Sequence, residues 1–171
     1  KYMNKLYGRD GWATGAMLNI SIGQGEILVT PIQMAAYTNL LATRGVAKNL
    51  HLVSPKNDSQ FTGSSTVSSN TWDIIHNSMK QDVYGKKGTG RLSNPNIPGV
   101  TVSGKTGTAE NPHGETHAWY IGFANYKDED MISVVVLVEN GGGGGSVASP
   151  IARKIFKEYN DNINYELARA Q

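Results

Sequence analysis

Gly99-Val100-Thr101-Val102-Ser103-Gly104-Lys105-Thr106-Gly107-Thr108-Ala109 decides the fold, because it fits two incompatible structures. Gly99 to Thr106 satisfies G-x-x-x-x-G-K-[ST], the pattern of a phosphate-cradling loop that opens a helix. Such a loop needs a turn of backbone N–H groups followed at once by a helix N-terminus. Val100, Thr101 and Val102 are β-branched and prefer extended backbone, while Gly107 and Pro112 deny the segment a helix. The alternative is a strand. On a strand Lys105 and Thr106 point to opposite faces, so both serve one site only if that site lies along the strand's free edge. An edge offers backbone groups to an extended peptide, the Lys105 ammonium favours a carboxylate, and Gly107 allows close approach to the backbone. An edge strand carrying a solvated lysine is the plainer alternative.

Working outward, two more strands are expected, at Thr116 to Asn125 with Trp119, Ile121 and Phe123 on one face, and at Met131 to Glu139. The charged connection Tyr126-Lys127-Asp128-Glu129-Asp130 suits a hairpin, so the three strands should be antiparallel neighbours. Ile132 to Val138 is apolar almost throughout, as in a central strand covered on both faces. Upstream, Thr30-Pro31-Ile32-Gln33 has capping-box spacing and opens a helix to about Thr43, which Gly45 ends. A second helix is predicted from Thr71 to Tyr84, with Trp72, Ile75, Met79 and Val83 on its core face and Ser69 or Asn70 as cap. Gly85 to Pro98 is a long polar connection. After five glycines, Gly141 to Gly145, read as a flexible connection, a last helix starts at Ser149-Pro150 with Ile151, Ile155 and Tyr159 on one side. Helices beside an antiparallel sheet make the fold class α+β.

The chain has 171 residues, 39% of them hydrophobic, enough for a single core. Sixteen basic residues against fourteen acidic ones are scattered rather than striped, which argues against nucleic acid as a partner. No cysteine is present, so thiolate metal sites and disulfides are excluded. His113-Gly114-Glu115-Thr116-His117 holds three metal-capable side chains, but Pro112 and Gly114 break the helix that a zinc pair at i and i+4 requires. No metal or cofactor is expected. Met131 to Val138, the longest apolar run, is far short of the roughly 20 residues of a membrane-spanning helix. Lys1-Tyr2-Met3-Asn4 does not open a signal peptide, so any anchor is expected outside this sequence.

Four separated blocks in order carry a family resemblance. They are Ser21-Ile22-Gly23-Gln24-Gly25 with Thr30-Pro31-Ile32-Gln33-Met34-Ala35; Lys105-Thr106-Gly107-Thr108-Ala109-Glu110; His117-Ala118-Trp119-Tyr120-Ile121-Gly122-Phe123-Ala124; and Val138-Glu139-Asn140 with the glycine run and Ser149-Pro150-Ile151-Ala152. Together they resemble class B penicillin-binding proteins of the cell-elongation type, over roughly residues 10 to 160. The resemblance implies a penicillin-binding transpeptidase fold and serine acyl transfer that cross-links peptidoglycan stem peptides, a step that β-lactam antibiotics block. It implies that Lys105 supports proton transfer and carboxylate recognition, that Thr106 and Thr108 bind the substrate carboxylate, and that the Thr108 N–H supplies half of an oxyanion hole. It also implies an extracytoplasmic, periplasmic location and a membrane glycan polymerase as partner. No serine stands three residues before a lysine, so the S-x-x-K pair is absent, and Ser68-Ser69-Asn70 falls out of order for the S-x-N motif. The chain is therefore expected to be the C-terminal part of one transpeptidase domain, inactive alone, whose missing N-terminal part supplies the nucleophile and covers exposed apolar surface. A non-catalytic β-lactam sensor or scaffold is the alternative, and a P-loop nucleotide hydrolase the remote one.

Overall fold

The computed structural model describes residues 4–5, 8, 14–25, 27–47, 50–51, 63–126 and 131–169. Among the described residues, α1 (Thr14–Ser21), α2 (Pro31–Ala42), α3 (Ser69–Tyr84) and α4 (Ser149–Arg169) accompany five strands. Strands β1 (Val46–Ala47) and β2 (Gly63–Ser64) form a small antiparallel pair, while β3 (Thr101–Ala109), β4 (His117–Asn125) and β5 (Met131–Val138) form an antiparallel sheet in that order. The α+β class and the antiparallel neighbours follow the expectation; the charged turn at 127–130 lies outside the described residues.

Local chemistry sets the helix limits. Thr30 and Gln33 close a reciprocal capping box, the Gln33 N–H donating to Thr30 Oγ1 and the Thr30 N–H to Gln33 Oε1, with Pro31 in the first turn. Helix α2 ends where the Gly45 N–H reaches back to Leu40 O. Helix α3 begins earlier than its periodicity indicates, because Ser68 is the cap: its hydroxyl accepts from the Thr71 N–H at 3.3 Å, and Ser69 and Asn70 fall inside the first turn.

The sheet is covered on both faces. On one face Phe123 meets Leu41, Ala42, Trp72 and Met79, with Ile75 and Ile121 packed against them, and His76 Nε2 donates to Leu41 O at 2.7 Å to bind α3 to α2. On the other, Val102, Ala118, Tyr120, Ala124, Val134 and Val136 pack on Ala148, Ala152 and Phe156. The predicted Trp119-Ile121-Phe123 face is thus core, but Ala118, Tyr120 and Ala124 opposite it are more completely buried. One expectation is corrected here. The most buried residues of α4 are Ala152 and Phe156; of the expected stripe, Tyr159 packs on the core beside Tyr126, while Ile151 and Ile155 are exposed. Among the described residues β5 pairs with β4 along one edge, and both its faces carry core residues.

The polar stretch 85–98 is not a surface loop throughout. A 3₁₀ turn at Arg91–Ser93 draws Ser93 inside with Pro95, both fully buried, while Arg91 and Leu92 stay exposed. Tyr120, also fully buried, donates from Oη to Ser93 Oγ at 2.9 Å, and Ser93 Oγ donates to Gly90 O at 2.7 Å. Burial holds the Tyr120 phenol well above its ordinary pKa, so it remains a donor. Its ring crosses Gly104, where a Cβ would overlap the Tyr120 hydroxyl.

Tyr120→Phe removes the donor to a buried hydroxyl and is expected to cost about 1–3 kcal/mol. Gly104→Ala should cost more, because a backbone or an aromatic ring must move. Denaturant unfolding checks both; unchanged midpoints would show that the Tyr120–Ser93 contact carries no stability.

Candidate active-site edge

Among the described residues β3 is an outer strand of the sheet, as a site served by both faces requires. The register pairs Lys105 with Ile121, Thr106 with Tyr120 and Thr108 with Ala118. Lys105 therefore projects on the α2–α3 side and the two threonines on the α4 side, flanking one edge. In an antiparallel pair each residue turns both its N–H and C=O the same way, so Val102, Gly104, Thr106, Thr108 and Glu110 address the outer edge.

That edge is only partly free. The Val102 N–H donates to Tyr84 Oη at 3.1 Å, and Lys105 Nζ curls over to donate to Thr106 O at 2.8 Å. Gln24 occupies the far end as a one-residue strand: its Nε2 donates to Thr108 O at 2.9 Å and its Oε1 accepts from the Glu110 N–H at 3.2 Å. The glycine-rich block at Ser21–Gly25 thus joins Lys105–Glu110 in space. What stays open runs from Gly104 to the Thr108 N–H.

Each threonine hydroxyl has its own support. Thr108 Oγ1, exposed, accepts from the Gly144 N–H at 3.3 Å. Gly144 is no flexible spacer. It is buried at the start of a π-helical turn, Gly144–Ala148, and any side chain there would strike the Gly107 and Trp119 carbonyls. Thr106 Oγ1 meets Thr89 Oγ1 at 2.5 Å, and Thr89 donates to Asp82 Oδ1 from both its hydroxyl (2.9 Å) and its backbone N–H (3.1 Å). On the other face Lys105 borders an open depression of ≈ 640 Å³ shared with Met79, Asp82, Gly85 and Lys86.

The structure thus brings Lys105, Thr106, Gly107 and Thr108 to one edge and adds Gln24 and Gly144, from two of the blocks quoted above, together with Asp82 and Thr89. Gln24 stood inside a quoted block; Thr89 and Asp82 gave no signal, since their partners lie 17 and 7 residues away. The His113 backbone N–H donates to Asn111 Oδ1, and His117 Nδ1, at the start of β4, accepts from the Asn140 N–H at 2.9 Å.

The family model described as the penicillin binding protein transpeptidase domain matches residues 4–157. The chain is 31% identical to the peptidoglycan D,D-transpeptidase MrdA of Haemophilus influenzae, over 93% of this chain and 28% of that protein. It is 35% identical to the peptidoglycan D,D-transpeptidase PbpA of Mycolicibacterium smegmatis, over 78% of this chain and 30% of that one. Among solved structures, PBP2 from Helicobacter pylori superposes with a TM-score of 0.72 at 28% identity, covering 91% of this chain and 29% of its own. The chain thus spans less than a third of the length of these relatives. With the family model running from α1 through the Lys105 strand into α4, the chain belongs to the transpeptidase domain family of penicillin-binding proteins.

Proposed function

We propose that this chain forms the substrate-recognition wall of a peptidoglycan D,D-transpeptidase whose nucleophilic serine, with its S-x-x-K lysine, lies in sequence outside it. The observation that carries this is the half-open edge of β3. The Thr108 N–H turns outward beside an exposed hydroxyl and an exposed lysine, while Gln24 closes the edge just beyond. An extended stem peptide adds to that edge as a strand. The serine oxygen attacks the D-Ala-D-Ala carbonyl; the oxyanion takes the Thr108 N–H, the C–N bond breaks, and terminal D-alanine leaves with a proton. An amine of a neighbouring stem then displaces the serine from the acyl-enzyme. Lys105 draws the substrate carboxylate, and Gly107 leaves room against the strand. A β-lactam enters the same edge and stalls at the acyl stage.

Exposed Met17, Leu18, Ile22, Ile27, Leu28 and Ile32 support a covering segment elsewhere in the polypeptide, since soluble surfaces rarely leave so much apolar area together. A periplasmic site of action, a membrane anchor outside this chain and a membrane glycan polymerase as partner follow from the same family reading. No described helix is long and apolar enough to cross a membrane.

Intact mass after incubation with a fluorescent penicillin tests the division of labour. An adduct is expected on the polypeptide that includes the S-x-x-K segment and none on residues 1–171 alone. Acylation of the short chain would place a nucleophile within it, and no adduct on either would favour a scaffold.

Two substitutions in the longer polypeptide test the edge. Lys105→Ala should slow acylation by ~10²-fold or more, the scale of a lost proton-transfer or charge contact. Gln24→Glu keeps the size but replaces the donor to Thr108 O with a carboxylate oxygen, and should slow acylation about tenfold by loosening the Thr108 backbone. A Gln24→Glu protein acylated at the parent rate would remove Gln24 from the site.

A further inference from the structure

We infer that the Glu110 carboxylate is a specificity-determining group that selects donor stem peptides carrying a cationic side chain on the residue next to D-Ala-D-Ala. The inference rests on the transpeptidase reading and deepens it by naming a feature of the substrate. Direction along the edge comes first. With the substrate carboxylate drawn to Lys105 and the scissile carbonyl at the Thr108 N–H, the donor runs antiparallel to β3, so its preceding residue passes Gln24 and Glu110. Main-chain pairing is already engaged there. Gln24 Nε2 donates to Thr108 O at 2.9 Å, and Gln24 Oε1 takes the Glu110 N–H at 3.2 Å. What distinguishes one donor from another beyond the Thr108 N–H is therefore read by a side chain.

Glu110 is placed to do so. Its bond to Gln24 is one that an adjoining strand would make, so extended backbone continues through it and its side chain stands one pleat, about 7 Å, past Thr108. The residue is exposed, and no lysine or arginine pairs with it among the described residues. The connection from Glu110 to Thr116 adds a second acid, Glu115, and contains no lysine or arginine, so nothing on it repels a cation. Substrate chemistry supplies the cation. Cross-linking needs a stem side chain that bears an amine, and the dibasic residue that bears it stands next to D-Ala-D-Ala; at neutral pH the free amine is an ammonium. A glutamate and a lysine-length side chain together span one pleat. A donor whose amine is already an amide, as after cross-linking, loses this contact. Glu110 binds and makes or breaks no covalent bond.

The test uses the polypeptide that includes the S-x-x-K segment and two thioester stem-peptide donors that differ only in lysine or Nε-acetyl-lysine at the residue next to D-Ala-D-Ala. The ratio of their kcat/KM values reports the charge contact separately from overall rate. In the parent the lysine donor is expected to be favoured about three- to fivefold at low salt, the scale of an exposed ion pair, with the ratio falling towards one in 1 M salt. Glu110→Gln should bring the ratio to about one, Glu110→Lys should invert it, and Glu110→Asp should keep part of it. Glu115→Gln should leave the ratio within about twofold of the parent. A parent ratio of one, a ratio insensitive to salt, or an unchanged ratio in Glu110→Gln overturns the assignment while leaving the transpeptidase function intact. So does a Glu115→Gln protein that loses as much of the ratio as Glu110→Gln, since the preference would then belong to the whole connection. Should Glu110→Gln fail to fold, Glu110→Lys and the salt series on the parent decide. A parent polypeptide acylated by neither donor and by no penicillin refutes the transpeptidase reading, and this assignment with it.

Discussion

The hydrogen bond from Tyr120 to Ser93 is the contact on which the rest of the site depends. It joins the middle strand of the described sheet to the 85–98 stretch, which Thr89 also ties to Thr106 of β3. A phenol buried completely in an apolar core must find an acceptor, and Ser93 is brought inside to supply one. Ser93 in turn donates to Gly90 O, and the Gly90 N–H is held by Asp82 O at 3.0 Å. Thr89, between these anchors, is left with its hydroxyl over Thr106. The path from core to site therefore runs Tyr120, Ser93, Gly90, Thr89, Thr106, and every link is a hydrogen bond or an adjacent residue.

A second constraint is the edge itself. A bare sheet margin invites pairing with any extended chain, and proteins blunt such margins with side chains or covering segments. Here the blunting is selective. Tyr84 caps Val102 at one end, the Gln24 side-chain amide mimics a peptide unit at the other and Lys105 covers the Thr106 carbonyl, so the edge from Gly104 to the Thr108 N–H is only partly covered.

The sequence made some of this legible. Capping signals at Thr30-Pro31-Ile32-Gln33 placed α2 because the cap is chemistry between residues three apart. The β-branched run through Val102 settled strand against loop at Lys105, since side-chain crowding is local too. The rest was hidden because it depends on distance. Gly144 looks like a spacer until the Gly107 carbonyl is found beneath it, and a run of glycines reads the same whether it is loose or tightly packed. The choice between the Ile151-Ile155 and Ala152-Phe156 faces of α4 turned on fit against the sheet, where a larger apolar stripe lost to a smaller one that packs closer.

The two halves of the site are ordered in different ways. Gln24, Asp82, Thr89 and Gly144 all belong to this chain and together hold the backbone at Thr108 and both threonine hydroxyls. The hydroxyls and backbone of this edge are therefore positioned by the same packing that stabilises the sheet. Lys105 is different. It is exposed, and its ammonium bonds to the carbonyl of the next residue, a partner any incoming anion or hydroxyl can replace. A long cationic side chain held so lightly loses little when it re-aims, whereas a hydroxyl held by a carboxylate relay resists turning. Positioning is thus built into the fold for the hydroxyls of the β3 edge, whereas the Lys105 charge is left free to re-aim.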